Sequence, residues 1–219
     1  MNASQAWRFD EWLAVDLRTL ALFRVVLALA VIVNAAILLQ ETTAFFSDQG
    51  IYPRSLAIEA SQTWSWSLYF LNGQAGFASL LLLATIGMAS AMLLGWRTRW
   101  ATVITWVLVA SQVNRTTLIN SGADIQLVVL LFWAMFLPLG ARFSVDSALI
   151  RHPPQASRHF SIAGVAVMLQ VMYLYFFGAL LKHGAEWTTS FNAVYYALSA
   201  VQVASPMAPA LLSWVPATQ

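Results

Sequence analysis

Residues 159 to 181 contain no Asp, Glu, Lys or Arg, and the charge that ends the run is Lys182, in YFFGALLKHGAEW. An apolar stretch of that length matches the roughly 20 residues a helix needs to cross the hydrocarbon core of a bilayer. There every backbone polar group must be satisfied within the element itself. Segments of the same kind lie near residues 19–40, 74–95, 100–119, 124–139 and 161–181, and a shorter one, 191–204, stops at Pro206 and reads as a short or re-entrant element. Composition agrees. The chain is 60% hydrophobic and 9% charged, with a mean hydropathy of +0.70, where soluble domains carry about 25% charged residues. The expected fold is all-α: a multi-pass transmembrane helical bundle of five to six spans.

Charge placement orients the bundle. Arg8 and Arg18 precede the first span, Arg97 and Arg99 follow the second, and Arg142, Arg151 and Arg158 follow the fourth, while Arg54, Arg115 and Lys182 fall at the other end and Arg24 within the first span. The excess of Lys and Arg on one side places the N-terminus in the cytoplasm. The loops holding Asp48, Arg54, Asn114, Arg115, Asp124, Lys182, His183 and Glu186 then face outward. The formal charge of +2, with no basic tract, leaves a nucleic-acid partner without an electrostatic footprint. The absence of cysteine removes disulfides, thiolate catalysis and zinc-thiolate sites.

The start, MNASQAWRFDEWLAVDLRTL, has acids ahead of its apolar run and no small-residue cleavage site, so it does not read as a removable signal peptide. Residues 1–18 are expected to form an amphipathic lead-in, with Trp7, Trp12, Leu13 and Leu17 on one side. Gly87, Ala91 and Gly95, at spacing four in the second span, predict a stripe for close helix approach. Trp64, Trp66, Tyr69 and Phe70 read as an interfacial aromatic belt or as a wall for a ring-shaped, lipid-soluble ligand. His152 and His159 lie among Pro, Ser and Arg and read as solvated loop residues without a ligand set around them.

Three stretches can carry chemistry. In FFSDQGIYPRS, residues 45–55, Arg54 can grip an anion or a carboxylate in two-pronged fashion within a turn built on Asp48, Gly50 and Pro53. In QVNRTTLINSGAD, residues 112–124, Asn114 and Arg115 fall below the outer surface, and Asp124 opens the next helix, where it can cap free N–H groups or clasp Arg115. In YFFGALLKHGAEW, Tyr175, Gly178 and Lys182 share a face on helical spacing. That lysine either snorkels to water as an anchor or, if desolvated, loses its proton readily enough to act as a base.

Taken in order, LRTLALFRVVLALAVI, FFSDQGIYPRS, NRTTLINSGADIQLVVLLFWAMFLPLGARFSVD and LQVMYLYFFGALLKHGAEWTTSFNAVYYAL resemble the horizontally transferred transmembrane (HTTM) domain. This domain is shared by bacterial membrane proteins and the vitamin K-dependent gamma-carboxylase. The resemblance runs from about residue 14 to about 204, with 19–204 as the domain and 205–219 a Pro-containing tail that reads as a truncated continuation. It implies a bacterial inner-membrane protein with its site toward the periplasm, a reduced, vitamin K-like quinone as cofactor, and Lys182 as the catalytic base that starts its oxygenation. Arg54, Asn114, Arg115, Asp124, Tyr175, His183 and Glu186 would line or support that site. The chain departs from the carboxylase in having no histidine across residues 114–130 and no large lumenal domain, which argues against carboxylation of a protein. Two functions are therefore expected side by side. One is a carboxylase- or epoxidase-like enzyme acting on a quinol. The other is non-enzymatic: a membrane factor for maturation, export or immunity of a secreted peptide, or a lipid- or quinone-binding module. A transporter would show internal repeats, and none is visible.

Overall fold

A computed structural model describes residues 12–61, 64–150 and 157–199. The chain is mostly helical, and three helices are long and apolar enough to cross a membrane: α1 (Leu17–Gln40), α4 (Ala75–Leu94) and α8 (Ile162–Leu180). Between them lie two short helices, α2 (Thr42–Phe46) and α3 (Arg54–Ala60), then α5 (Thr98–Arg115), α6 (Gly122–Ala134) and α7 (Val145–Leu149). Helices α9 (Ala185–Thr188) and α10 (Ala193–Ser199) follow α8. The fourth expected span shortens to the 13 residues of α6, because the chain turns at Met135–Pro138. Of the expected lead-in only its last residues fall among those described, and of the 191–204 stretch only α10. His152 and the 205–219 tail lie outside the described residues.

The fold divides into two units, one ending at Val167 and the other beginning at Met168. In the first, α1 packs on α4, α4 on α5, α5 on α6, and α6 returns to α1. Helix α1 shows why polarity alone cannot assign its faces. Leu17, Leu20, Arg24, Leu27, Val31 and Ala35 are buried, while Leu22, Val26, Leu29, Val33 and Ile37 are exposed. Both stripes follow 3.6-residue spacing and, Arg24 apart, both are apolar, as expected where the surroundings are lipid tails rather than water. Helix α5 differs. Its buried face carries Thr98, Thr102, Thr105, Ser111 and Gln112, small or polar groups that allow close approach and bond within the bundle. This lowers its apolarity while suiting it to the middle of the helix packing.

At one end of this unit, Arg24 holds the loops together. It is 1% exposed, and its Nη1 and Nη2 donate to the carbonyls of Leu139 at 3.0 Å and Phe143 at 2.6 Å. Asp146 closes the same end by capping α5: it accepts from the N–H of Arg97 (2.8 Å) and from the N–H and hydroxyl of Thr98 (both 2.7 Å). Burial pushes the Asp146 carboxyl up, but these donors and the charge of Arg24 outweigh it, and its pKa lies below the ordinary carboxylate value. A two-residue antiparallel bridge, β1 (Val15–Asp16) with β2 (Arg158–His159), ties the start of α1 to the approach to α8. His159 is thus paired with Val15 and half-buried, a correction to its expected place in a solvated loop.

The expected small-residue stripe is corrected as well. A methyl at Gly87 would meet nothing within 4 Å, whereas one at Gly95 would collide with Ser144 and Arg24. Gly95 ends α4 with φ +72°. The N–H of Gly95 bonds Met92 O and that of Trp96 bonds Ala91 O, the pairing that terminates a helix through a left-handed residue. Gly95→Ala is expected to lower unfolding free energy by at least about 1–2 kcal/mol from backbone conformation alone, with the Arg24 contact adding to it. Gly87→Ala should be neutral. Denaturant titration in detergent measures both, and equal effects would contradict the close approach at Gly95.

Candidate functional site

At the other end of the first unit, the ends of α1, α4, α5 and α6 carry a polar layer. Asn34, ten residues beyond Arg24 on α1, joins two helices: its Oδ1 accepts from Gln112 Nε2 at 2.7 Å, and its Nδ2 donates to Asp124 Oδ1 at 3.0 Å. Asp124 Oδ2 accepts from the N–H and hydroxyl of Ser121, at 2.7 and 2.8 Å. Ser121 and Asp124 form the reciprocal capping box that starts α6. The sequence expectation that Asp124 caps its helix therefore holds.

The alternative clasp between Arg115 and Asp124 is not formed. Arg115 is 0% exposed; its Nη2 donates to the carbonyl of Tyr52 at 2.6 Å, and the guanidinium lies 5.2 Å from the centre of the Tyr52 ring. Its Nε and Nη1 are buried without a partner. The tyrosine is fixed in turn by its hydroxyl, 3.0 Å from Thr117 Oγ1. One turn earlier, Ser111 ties α5 to the loop before α4, its hydroxyl accepting from Leu68 N–H at 2.6 Å while its carbonyl accepts from the Ser67 hydroxyl at 2.6 Å. Asn114 Nδ2 donates to Trp66 O at 2.8 Å.

Arg54 does what its loop predicts. Its Nε lies 3.0 and 2.9 Å from the two oxygens of Asp48, and its Nη2 2.7 Å from Oδ2. Nη1 reaches Phe70 O at 3.2 Å. Asp48 sits against Gly73, where any Cβ would overlap its carboxylate, and its N–H donates to Gly73 O at 2.9 Å. The side-chain and backbone bonds from Arg54 hold the Asp48 carboxyl below its ordinary pKa, aided by the charges of Arg54 and Arg115. The grip is satisfied internally, so Arg54 organises the loop. A polar recess of about 490 Å³ beside it is lined by Thr43, Asn72 and Gln74.

The aromatic residues before α4 divide between two roles. Trp64, at 92% exposure, fits an interfacial belt. Tyr69 is buried against Phe46, ring centres 4.9 Å apart, which corrects its expected place in that belt; burial pushes its hydroxyl pKa up. Trp66 faces Trp106 of α5 at 6.5 Å, and Trp106 faces Phe132 of α6 at 5.8 Å. Beside this file a cavity of about 650 Å³ opens between α5 and α6. Asn114, Thr117 and Asn120 line it near the helix ends, and Trp106, Val128 and Val129 line it further along. The Trp106 indole N–H is buried without a partner. No lining residue is charged.

The second unit carries Tyr175, Lys182, His183 and Glu186. Helix α8 ends at Leu180, so Lys182 lies in the turn beyond it, its N–H bonded to Ala179 O at 3.1 Å. Helical spacing therefore does not put it on one face with Tyr175, contrary to expectation. Its ammonium rests over the Trp187 ring, 4.5 Å from the centre. His183 Nδ1 lies 3.2 Å from Leu180 O, and Glu186 opens α9 with its carboxylate against Gly184. Tyr175 is exposed.

Sequence reasoning passed over Asn34, Tyr52, Ser111 and Trp106. A polar residue inside a long apolar helix is costly unless paired, and that signal marks Asn34. Tyr52 acts through its carbonyl, which no side-chain pattern reveals. Compared with protein-family models, curated proteins and solved structures, the chain matches none.

In a double-mutant cycle, Asn34→Ala and Asp124→Ala are expected to couple by about 0.5–2 kcal/mol, since each removes the other's partner. Arg115→Met and Asp124→Ala should be additive within about 0.5 kcal/mol. Coupling of the second pair would restore the clasp.

Proposed function

We propose that this chain is a bacterial inner-membrane protein of the HTTM kind that binds a lipid-soluble quinone in the cavity between α5 and α6. The observation that carries the reading is the cavity itself. At about 650 Å³ it falls within the range of small-molecule sites, which are mostly apolar with a few placed polar groups. Trp66 and Trp106 offer ring faces for stacking. Asn114 and Asn120 offer amide groups to quinone oxygens. Asn114 and Trp106 are eight residues apart on α5, about 12 Å along the helix, so polar groups would meet the head and Val128 and Val129 an isoprenoid tail.

Binding is favoured over base catalysis by the surroundings of Lys182. A lysine acting as a base needs a site walled off from water, whereas Lys182 is exposed and its ammonium lies 4.5 Å from the centre of the Trp187 ring. The arrangement suits a cationic anchor at an aromatic interface. Were a quinol to be oxygenated here, the chemistry would come from the quinol and dioxygen, and the lysine would have to leave its ring.

Purified protein in detergent is expected to bind a naphthoquinone with an isoprenoid tail. Trp106→Leu should weaken that binding by about three- to tenfold, in line with the energy of one aromatic pair, while Lys182→Arg and Lys182→Ala leave it unchanged. Failure of the unmodified protein to bind removes the reading. Oxygen-dependent quinol turnover that Lys182→Arg abolishes would establish the enzyme instead, because arginine cannot give up its proton.

The proposed topology has five to six spans, the N-terminus in the cytoplasm, and this cavity toward the periplasm. The count of arginines by loop supports it. With no native cysteine, a cysteine introduced in the 41–73 loop is expected to react with an impermeant thiol reagent on intact cells, and one in the 140–160 loop is not. The reverse pattern would invert the protein.

A further inference from the structure

The end of the first unit held by Arg24 has a recess of its own. It measures about 530 Å³ and lies between the start of α5, the turn after α6, α7 and β2. Arg99 and His159 supply the basic groups lining it; Phe136 and Ile150, 58% and 49% exposed, are its apolar lips. Thr98, Thr102 and Ala134 form a buried floor. Asp146 also lines the recess, but its oxygens already take the N–H groups of Arg97 and Thr98 and the Thr98 hydroxyl. Its charge is further offset by Arg24.

We infer that this recess binds the head group of an anionic phospholipid. Among the described residues, Arg18, Arg97, Arg99, Arg142 and Arg158 stand near the ends of α1, α4, α5, α6 and α8 that meet here, whereas the acids there, Asp16 and Asp146, are both occupied as helix caps. Such an end attracts anionic lipid, and basic pockets between helices take lipid phosphates. A zwitterionic head or a free anion would satisfy only part of the lining. The phosphate meets Arg99 and His159, a glycerol hydroxyl can bond within the recess, and the acyl chains leave across Phe136 and Ile150. The inference does not depend on what occupies the α5–α6 cavity, which is lined by other residues.

Native mass spectrometry of the full chain in detergent tests it, using phosphatidylglycerol and phosphatidylcholine with identical acyl chains. Phosphatidylglycerol is expected to be retained at least about tenfold more tightly, a ratio equal to about 1.4 kcal/mol. Arg99→Gln should abolish most of that preference, and Phe136→Ser should weaken retention of both lipids. Arg18→Gln, exposed at the same end but outside the recess, should lower the preference much less than Arg99→Gln. Equal retention of the two lipids overturns the proposal. So does an equal loss in Arg18→Gln and Arg99→Gln, which would mean diffuse attraction to the basic end. Displacement of the lipid by millimolar inorganic phosphate would reassign the recess to a free anion.

Discussion

Two guanidinium groups are carried into the helix packing, and each is held by backbone carbonyls rather than by a carboxylate. Arg24 takes the carbonyls of Leu139 and Phe143; Arg115 takes that of Tyr52 and rests against its ring. A charged donor removed from water must find acceptors, and with no ion pair to either group among the described residues the loops provide them. The loops are therefore not free to wander. Each arginine ties a loop to the helix that carries it, Arg24 at one end of the bundle and Arg115 at the other.

The consequences spread from these two points. Around Arg24, Gly95 must lack a side chain and turn left-handed, Asp146 is brought to cap α5, and the basic recess takes its shape between them. Around Arg115, Tyr52 is pinned under the guanidinium and bonds Thr117. The Asp48–Arg54 pair brackets Tyr52 in the same stretch, and the charge of Arg115 helps keep Asp48 ionised. The wall of the α5–α6 cavity depends on the same order, because Asn114, next to Arg115, ties Trp66 into place. The partnerless Nε and Nη1 of Arg115 are the cost of this arrangement. They are tolerable because Tyr52 supplies one strong acceptor and a ring face.

Lys182 illustrates a different balance. A residue that a family resemblance marks as a base lies beyond the end of its helix with its ammonium on an indole ring. The side chain is exposed there. Chemistry at this position would require surroundings that penalise the cation instead, so the proposed function rests on the uncharged, aromatic cavity.

What the sequence determined by itself is the helical character and the approximate place of the three helices long and apolar enough to cross a membrane. Long apolar runs favour helices, which satisfy their own backbone groups, and a local pattern such as Ser121–Asp124 or Asp48–Arg54 closes over a few residues. What only the tertiary structure decided is which apolar face looks inward and which polar groups meet. On α1 the core and lipid stripes are equally apolar, so Leu27 and Leu29 differ only by what packs against them. Arg115 had two candidate acceptors, Asp124 nine residues on and a carbonyl 63 residues back. The choice fell to Tyr52 because Asn34, on another helix, and the Ser121 cap had already taken the carboxylate.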